Sequence, residues 1–228
     1  MSTEAQAGHF PAVDWQGGAF PYRVGHRKLG MWLFIVSDSL TFSALLIGYS
    51  YLRASNVWPT PFPFYPSIVF SSVMTFCLLS SSLTMVFGVS ASSKGDKAKA
   101  RKWILLTIVF GVAFIVLHLI EWQHLMHQGL RPFYLPESWV QAFSHNGVPP
   151  SPLFGATFFA ITGLHMFHVL TGAIYLLVVA LRINKLKHED VEISGLYWHF
   201  VDLVWMFVFP LIYIMSVDIG GHLAAVPH

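Results

Sequence analysis

The chain has few charged residues and a single cysteine. Only 11% of its 228 residues are Asp, Glu, Lys or Arg, whereas soluble domains carry about 25%. Hydrophobic residues make up 55% of the chain, and the mean hydropathy is +0.59. This composition excludes an ordinary soluble domain and indicates a membrane protein. The one cysteine, Cys77, excludes an intrachain disulfide, a CxxCH haem attachment and a cysteine-rich metal centre.

Five hydrophobic segments are long enough to cross a hydrocarbon core of about 30 Å, which takes about 20 helical residues. They are Leu29–Leu52, Ser67–Ser90, Trp103–Gln123, Leu153–Leu181 and Leu196–Ile219. The sequence therefore predicts an all-α fold, a polytopic membrane bundle with five transmembrane helices. We expect this single domain to cover residues 29–220, between a cytoplasmic N-terminal tail over 1–28 and a short outer C-terminal tail over 221–228.

Lysine and arginine are distributed unevenly among the loops. Eleven of the thirteen lie in the N-terminal tail, in the loop after the second segment or in the loop after the fourth. Only Arg53 and Arg131 fall on the other side. Because cytoplasmic loops are enriched in Lys and Arg, we expect a cytoplasmic N-terminus and a C-terminus outside.

The outer loop Trp58–Pro66 contains four prolines. Proline removes a backbone donor and disfavours helical geometry in the residue before it. The sequence predicts an extended path along the membrane surface, with the aromatic side chains of the loop in the interfacial belt.

Asp38, Glu121 and Asp202 are acidic residues inside the hydrophobic segments. Such groups are costly in lipid, so we expect each to face protein and to have a partner. Two interpretations of Asp38 stay open. It belongs to a proton or water path, or it is an acid hydrogen-bonded to neighbouring helices.

Histidines and tryptophans form polar stripes at helical spacing. His118, Glu121 and His124 follow i, i+3, i+6, and Trp198, Asp202 and Trp205 follow i, i+4, i+7. We expect the stripes to converge in one interhelix polar network. Besides the acids, its members are His118, His124, His165, His168, Trp198, His199 and Trp205.

The same residue types bind metals, so a metal centre has to be considered. Haem b requires histidines on facing helices at matched depth, whereas His118, His165 and His199 lie at different predicted depths. His165 and His168 are also too close on one helix to serve two haems. We therefore predict neither a metal site nor a catalytic centre in this chain.

Four blocks of the sequence resemble those of a known protein family. They are Lys28-Leu-Gly-Met-Trp-Leu-Phe-Ile-Val-Ser-Asp38, Leu119-Ile-Glu121-Trp, Thr157-Phe-Phe-Ala-Ile-Thr-Gly-Leu-His165-Met-Phe-His168-Val, and Tyr197-Trp-His199-Phe-Val-Asp202-Leu-Val-Trp205. Together they resemble the cytochrome c oxidase subunit III family, and the resemblance covers the chain from Lys28 to Ile219.

This resemblance implies an accessory subunit of a proton-pumping haem-copper oxidase, a complex that oxidises cytochrome c and reduces dioxygen to water. The chain would itself hold no cofactor except structural phospholipids, while partner subunits carry the haems and copper. It would support assembly, lipid binding and proton uptake by subunit I, its main contact. Subunit II is a further expected partner, and a small subunit IV and a respiratory supercomplex stay open. We expect no nucleic-acid partner.

Two positions of the chain match residues of the family that have a known setting, and the number of helices differs from that of many members. Asp38 matches a buried acid that is usually Glu in the family, and Arg182 matches an arginine placed beside a lipid headgroup. Many members have seven helices, of which the first two enclose a lipid-filled cleft. With five helices this chain resembles the shorter bacterial form, so that cleft cannot be carried over unchanged unless another subunit supplies the missing wall. We expect the inner membrane of a bacterium.

Other functions remain open at this stage. The resemblance also extends to subunit III of quinol oxidases and to homologues associated with nitric oxide reductases. From another class, the histidines would suit a membrane haem-b electron carrier. A transporter that uses Asp38 as its coupling acid is a third alternative, although the sequence lacks inverted repeats.

Overall fold

The computed structural model describes residues 25–218. Within this range five helical segments are long and apolar enough to cross a membrane: His26–Ser55, Phe64–Ser93, Lys97–His127, Leu153–Arg182 and His188–Ser216. The predicted all-α architecture with five membrane-spanning helices is confirmed. Of the predicted tails, residues 1–24 and 221–228 lie outside the described residues.

The helices are named in chain order. They are α1 (His26–Ser55), α2 (Val69–Ser93), α3 (Lys97–His127), α4 (Glu137–Phe143), α5 (Leu153–Arg182) and α6 (His188–Val208). A π-helical turn, Phe64–Ile68, precedes α2, and a second one, Phe209–Tyr213, followed by the 3₁₀ turn Ile214–Ser216, extends α6. The short α4 lies in the loop before α5 and was not predicted.

Local sequence explains where α3 begins and where the regular part of α6 ends. Asp96 precedes α3, and its carboxylate accepts a hydrogen bond from the Lys99 backbone N–H at 2.9 Å, which satisfies a free donor of the first turn. Gly95 has a φ of +79°, so the chain reverses tightly between α2 and α3. At the other end of the chain, Pro210 has no backbone N–H, and the α-helical hydrogen-bond pattern of α6 gives way there to the wider π turn.

Helix α6 lies at the centre of the bundle, where it packs against α1, α2 and α5. Half of the residues in its most apolar window are buried, compared with 6% for α1. The α2–α3 hairpin lies beside α6, and α3 also packs against α5. Trp198, Asp202 and Trp205 of α6 are therefore buried within the protein, and His199 is half-buried.

Two glycines make room for the Trp198 ring. A Cβ added to Gly111 of α3 would lie 2.6 Å from Trp198 Cη2. A Cβ added to Gly172 of α5 would lie 2.9 Å from Tyr197 and 3.1 Å from the Trp198 ring. The indole is thus enclosed between α3 and α5, and its Nε1 donates to Ser81 Oγ of α2 at 2.9 Å.

The proline-rich loop differs in part from its prediction. The chain is extended up to Pro63, but a helical turn begins at Phe64. Phe64 and Tyr65 are exposed, as aromatic residues of an interfacial belt would be. For Phe62 the prediction is wrong, because its ring is buried and stacks on Tyr213 at a centroid distance of 5.0 Å. The alternating side-chain directions of an extended segment send Phe62 inward.

Replacing Gly111 with alanine should destabilise the bundle, because the new methyl group overlaps the enclosed Trp198 ring. Overpacking of this kind costs about 1–3 kcal/mol. Gly48→Ala is the matched control, since a Cβ at that helical position meets nothing within 4 Å, and alanine has the higher helix propensity. We expect a lower thermal unfolding midpoint for Gly111→Ala only. Equal midpoints for the two variants would show that Trp198 is not confined as described.

Candidate functional site

Glu121 joins three parts of the bundle. Its Oε1 accepts a hydrogen bond from Ser71 Oγ of α2 at 2.9 Å, and its Oε2 accepts one from the Tyr213 hydroxyl at 2.7 Å. His118 Nδ1 lies 3.7 Å from Oε2, which is too far for a hydrogen bond. We call these four residues the Glu121 cluster. All four side chains are buried, so the carboxyl group is stabilised by hydroxyl donors rather than by water.

His118 and His165 lie against the same tryptophan. The Trp205 ring stacks on His165 at a centroid distance of 5.1 Å and meets His118 edge-on at 5.6 Å. Phe114 contacts both imidazoles at 5.7 Å. Within residues 25–218, neither ring nitrogen of either histidine has a hydrogen-bond partner in the protein. The sequence predicts different membrane depths for these two histidines, whereas the structure places both against the same aromatic side chains.

Asp38 lies at the contact between α1 and α5. Its Oδ1 is 3.6 Å from His168 Nε2, and both side chains are 12% exposed. His168 Nδ1 lies 3.3 Å from the Tyr197 hydroxyl, which also contacts Thr171 Oγ1 at 3.1 Å and donates to the His168 carbonyl. Asp38, His168, Thr171 and Tyr197 form what we call the Asp38 cluster. It places an acid, an imidazole and two hydroxyls in sequence across three helices.

Asp202 and His199 face α2. His199 Nδ1 lies 2.6 Å from Ser82 Oγ, and the same hydroxyl lies beside the Asp202 carboxyl group. Asp202 is buried, and its Oδ1 has no hydrogen-bond partner among the described residues. One turn further along, Trp205 Nε1 donates to Thr75 Oγ1 at 2.9 Å. The predicted stripe on α6 therefore meets a row of hydroxyls on α2.

Two predicted site residues lie at the protein surface. His124 is exposed at the end of α3 and pairs through Nε2 with Gln128 Nε2 at 3.0 Å. Arg182 is exposed at the last residue of α5. The predicted network is thus divided into the Glu121 cluster, the Asp38 cluster and the contacts of α6 with α2, with His124 outside them.

The arrangement suits hydrogen bonding between helices better than metal binding. Within the described part of the chain, no three His, Cys, Asp or Glu side chains form a group that could hold a metal ion. The acids contact hydroxyls from Ser71, Ser82 and Tyr213. Sequence reasoning missed these hydroxyl partners. Helical spacing shows which residues share a face, but serine is too frequent in these segments to mark one position.

Replacing Tyr213 with phenylalanine should destabilise the protein by about 1–3 kcal/mol, because one buried oxygen of Glu121 loses its hydroxyl donor. Tyr65→Phe removes the same hydroxyl from an exposed ring and should change stability by less than about 0.5 kcal/mol. Thermal unfolding of both variants in one detergent measures the difference. A Tyr213→Phe midpoint equal to that of the control would contradict a stabilising role for this contact.

The sequence matches known proteins along most of its length. Residues 137–217 match the family model described as Cytochrome c oxidase subunit III. A Cytochrome c oxidase subunit 3 from Corynebacterium diphtheriae is 32% identical, over 83% of this chain and 88% of the relative. One from Thermostichus vulcanus is 31% identical, over 90% and 97%. A Cytochrome bo(3) ubiquinol oxidase subunit 3 from Pseudomonas putida is 30% identical, over 83% and 86%.

These relatives are subunits of oxidase complexes, and the five membrane-length helices agree with such a role. The chain is therefore a multi-pass membrane protein and a subunit of an oxidase complex. The identity and coverage also establish the family predicted from the four sequence blocks. The chain belongs to the cytochrome c oxidase subunit III family.

Proposed function

We propose that the chain is the accessory subunit III of a proton-pumping haem-copper terminal oxidase and has no catalytic centre of its own. The observation that supports this most directly is the use of its buried ionisable groups. Glu121 bonds to Ser71 and Tyr213, and His199 to Ser82, so these side chains connect helices of the same chain. Haems and copper would then belong to partner subunits, which carry out dioxygen reduction.

Subunit I is the proposed main partner, and subunit II a second. Cytochrome c is the proposed electron donor, in keeping with the names of the relatives from Corynebacterium diphtheriae and Thermostichus vulcanus. The relative from Pseudomonas putida is named for a ubiquinol oxidase, so quinol is the alternative donor. The donor site would in either case lie on another subunit.

The packing around Trp205 argues against a haem-b carrier. The indole contacts both His118 and His165, and the Phe114 ring lies against the same two imidazoles. A haem bound between these histidines would have to displace both rings. The aromatic side chains thus fill the volume that a macrocycle needs.

The Asp38 cluster is the proposed point at which this chain supports proton uptake. His168 lies 3.6 Å from Asp38 through Nε2 and 3.3 Å from the Tyr197 hydroxyl through Nδ1. The Tyr197 hydroxyl lies in turn 3.1 Å from Thr171 Oγ1. Carboxyl, imidazole and hydroxyl groups in such a row can each hold and pass a proton. The alternative of a transporter that uses Asp38 is tested by measuring substrate flux in liposomes that contain this chain alone.

Arg182 is proposed to bind a phospholipid headgroup. It is exposed at the end of a membrane-spanning helix, where a guanidinium can pair with a lipid phosphate in two parallel hydrogen bonds. Lys185 and Lys187 follow within five residues and add positive charge at the same helix end. This is the composition that anionic headgroups favour.

Purification of the oxidase through an affinity tag on this chain tests the proposed function. We expect the partner subunits to copurify with haem, and the chain, once separated in detergent, to show no Soret absorption. A reduced Soret band that stays with the separated chain and disappears in His118→Leu or His165→Leu would refute the proposal. Failure of any haem-containing subunit to copurify from gently solubilised membranes would do so as well.

We propose a cytoplasmic N-terminus in a bacterial inner membrane, and cysteine labelling tests this orientation. In a Cys77→Ser background, Lys94→Cys and Arg131→Cys each place one thiol at an exposed position on opposite sides of the predicted membrane. A membrane-impermeant maleimide should label Arg131→Cys in intact spheroplasts, and Lys94→Cys only after permeabilisation. The reverse pattern would invert the proposed topology.

A further inference from the structure

A cleft of about 260 Å³ opens beside the Glu121 cluster. It lies between the proline-rich loop, the start of α2 and the end of α3. Its walls are apolar and include Pro61, Pro63, Phe70, Ile120 and Leu125. The volume is slightly below the range of about 300–1,000 Å³ that is usual for small-molecule sites, so the cleft suits a single ring rather than a large headgroup.

The polar groups of the cleft come from one face of α3. Glu121, His124 and Gln128 follow i, i+3, i+7 and all line it. The Glu121 carboxyl group lies at the buried end, where Ser71 and Tyr213 use two of its roughly four acceptor positions. His124 and Gln128 pair with each other at the exposed end. The cleft therefore offers an acceptor at its base and a mixed donor and acceptor pair at its mouth.

The charge of the cleft selects against a phosphate. None of the described residues that line it is Lys or Arg, the side chains that most often pair with phosphate in proteins. Glu121 lines the same space, and an acidic side chain is an unfavourable neighbour for an anion. A neutral ligand that donates hydroxyl hydrogens matches this set, and the flat walls of proline and Phe70 suit an aromatic ring.

The position of the cleft indicates how a ligand would enter. Ile120 is half exposed on the outward face of α3, within a helix that spans the membrane. The opening past Ile120 is therefore toward lipid. A ligand with a long apolar tail could leave that tail in the bilayer while its ring occupies the cleft.

We propose that this cleft binds a membrane quinol, an aromatic diol with an isoprenoid tail. One hydroxyl donates to the Glu121 carboxyl group, and the other bonds to His124 and Gln128 at the mouth. The proposal concerns binding alone, includes no electron transfer, and does not depend on which donor the oxidase complex uses.

Photolabelling of the intact oxidase complex tests the site. The complex is placed in quinone-free nanodiscs and titrated with a short-chain quinol that carries a diazirine on its tail, and the labelled peptides are mapped by mass spectrometry. We expect saturable labelling within residues 61–70 and 120–128, displaced by unlabelled quinol. Because each labelled peptide identifies its subunit, labelling at a quinol site on another subunit is recognised and not counted.

Two variants and a control test whether the labelling depends on the cleft. Ile120→Trp narrows the lipid-side opening and should raise the half-saturating quinol concentration about tenfold, because the larger side chain overpacks the cleft. Glu121→Gln keeps one acceptor oxygen but replaces the carboxyl group with a neutral amide, and it should raise the same concentration about tenfold, the difference between a charged and a neutral hydrogen-bond acceptor. Ile174→Trp, at a similarly exposed position on α5, should leave it unchanged. Ile120→Trp lies on an exposed face, so it separates loss of binding from loss of fold.

Three results would overturn the proposal. One is the absence of saturable labelling in the two peptides. A second is labelling that Ile120→Trp leaves unchanged. The third is occupancy by a diazirine-bearing phosphatidylethanolamine that excess quinol fails to displace, which would assign the cleft to a phospholipid. None of these results bears on whether the chain copurifies with the haem-containing subunits, so the proposed function is tested separately.

Discussion

The packing of two tryptophans of α6 against α2 is the interaction on which the bundle depends. Trp198 donates to Ser81 and Trp205 to Thr75, both at 2.9 Å. In the hydrocarbon region an indole N–H has no water to bond, so each hydroxyl partner determines how α6 is rotated relative to α2. Gly111 then admits the Trp198 ring and sets the position of α3. A single central helix thereby orients its neighbours.

The lack of water in the hydrocarbon region also explains why the ionisable groups bond to neighbouring helices. Glu121 is one residue of α3, yet its two oxygens reach α2 through Ser71 and the end of the last span through Tyr213. Asp38 of α1 lies 3.6 Å from His168 of α5, which is an electrostatic contact rather than a hydrogen bond. A buried carboxyl group that is bonded to helices of its own chain stabilises one arrangement of those helices, because any other arrangement leaves it unpaired. This use requires no cofactor, and it leaves a mostly apolar exterior for contact with lipid and partner subunits.

The sequence predicted the features that depend on length and periodicity. Four of the five predicted segments lie within an observed span, and the fifth, Leu196–Ile219, overlaps the span His188–Ser216. The agreement arises because about 20 apolar residues are needed wherever a helix crosses a bilayer. Trp198, Asp202 and Trp205 share one buried face for the same reason of helical spacing. Periodicity cannot identify the neighbour that a face meets, so the hydroxyl partners on α2 were missed. Phe62 was misplaced because a tertiary contact with Tyr213 outweighs the interfacial preference of an aromatic side chain.

Helix α1 is the element whose position this chain determines least. Only 6% of its most apolar window is buried, and its polar contacts are spread over three levels. At its N-terminal end Arg27 pairs with Asp190, although the Arg27 side chain is 80% exposed, and such a pair contributes about 0–1 kcal/mol. At its C-terminal end Arg53 bonds to Ser216. These contacts fix the depth of α1 and the face that it turns toward α5 and α6, but they cover little of its surface. Within residues 25–218 little else covers this surface, which is therefore available to lipid or to another subunit. The stability of α1 therefore depends on assembly more than that of α6 does.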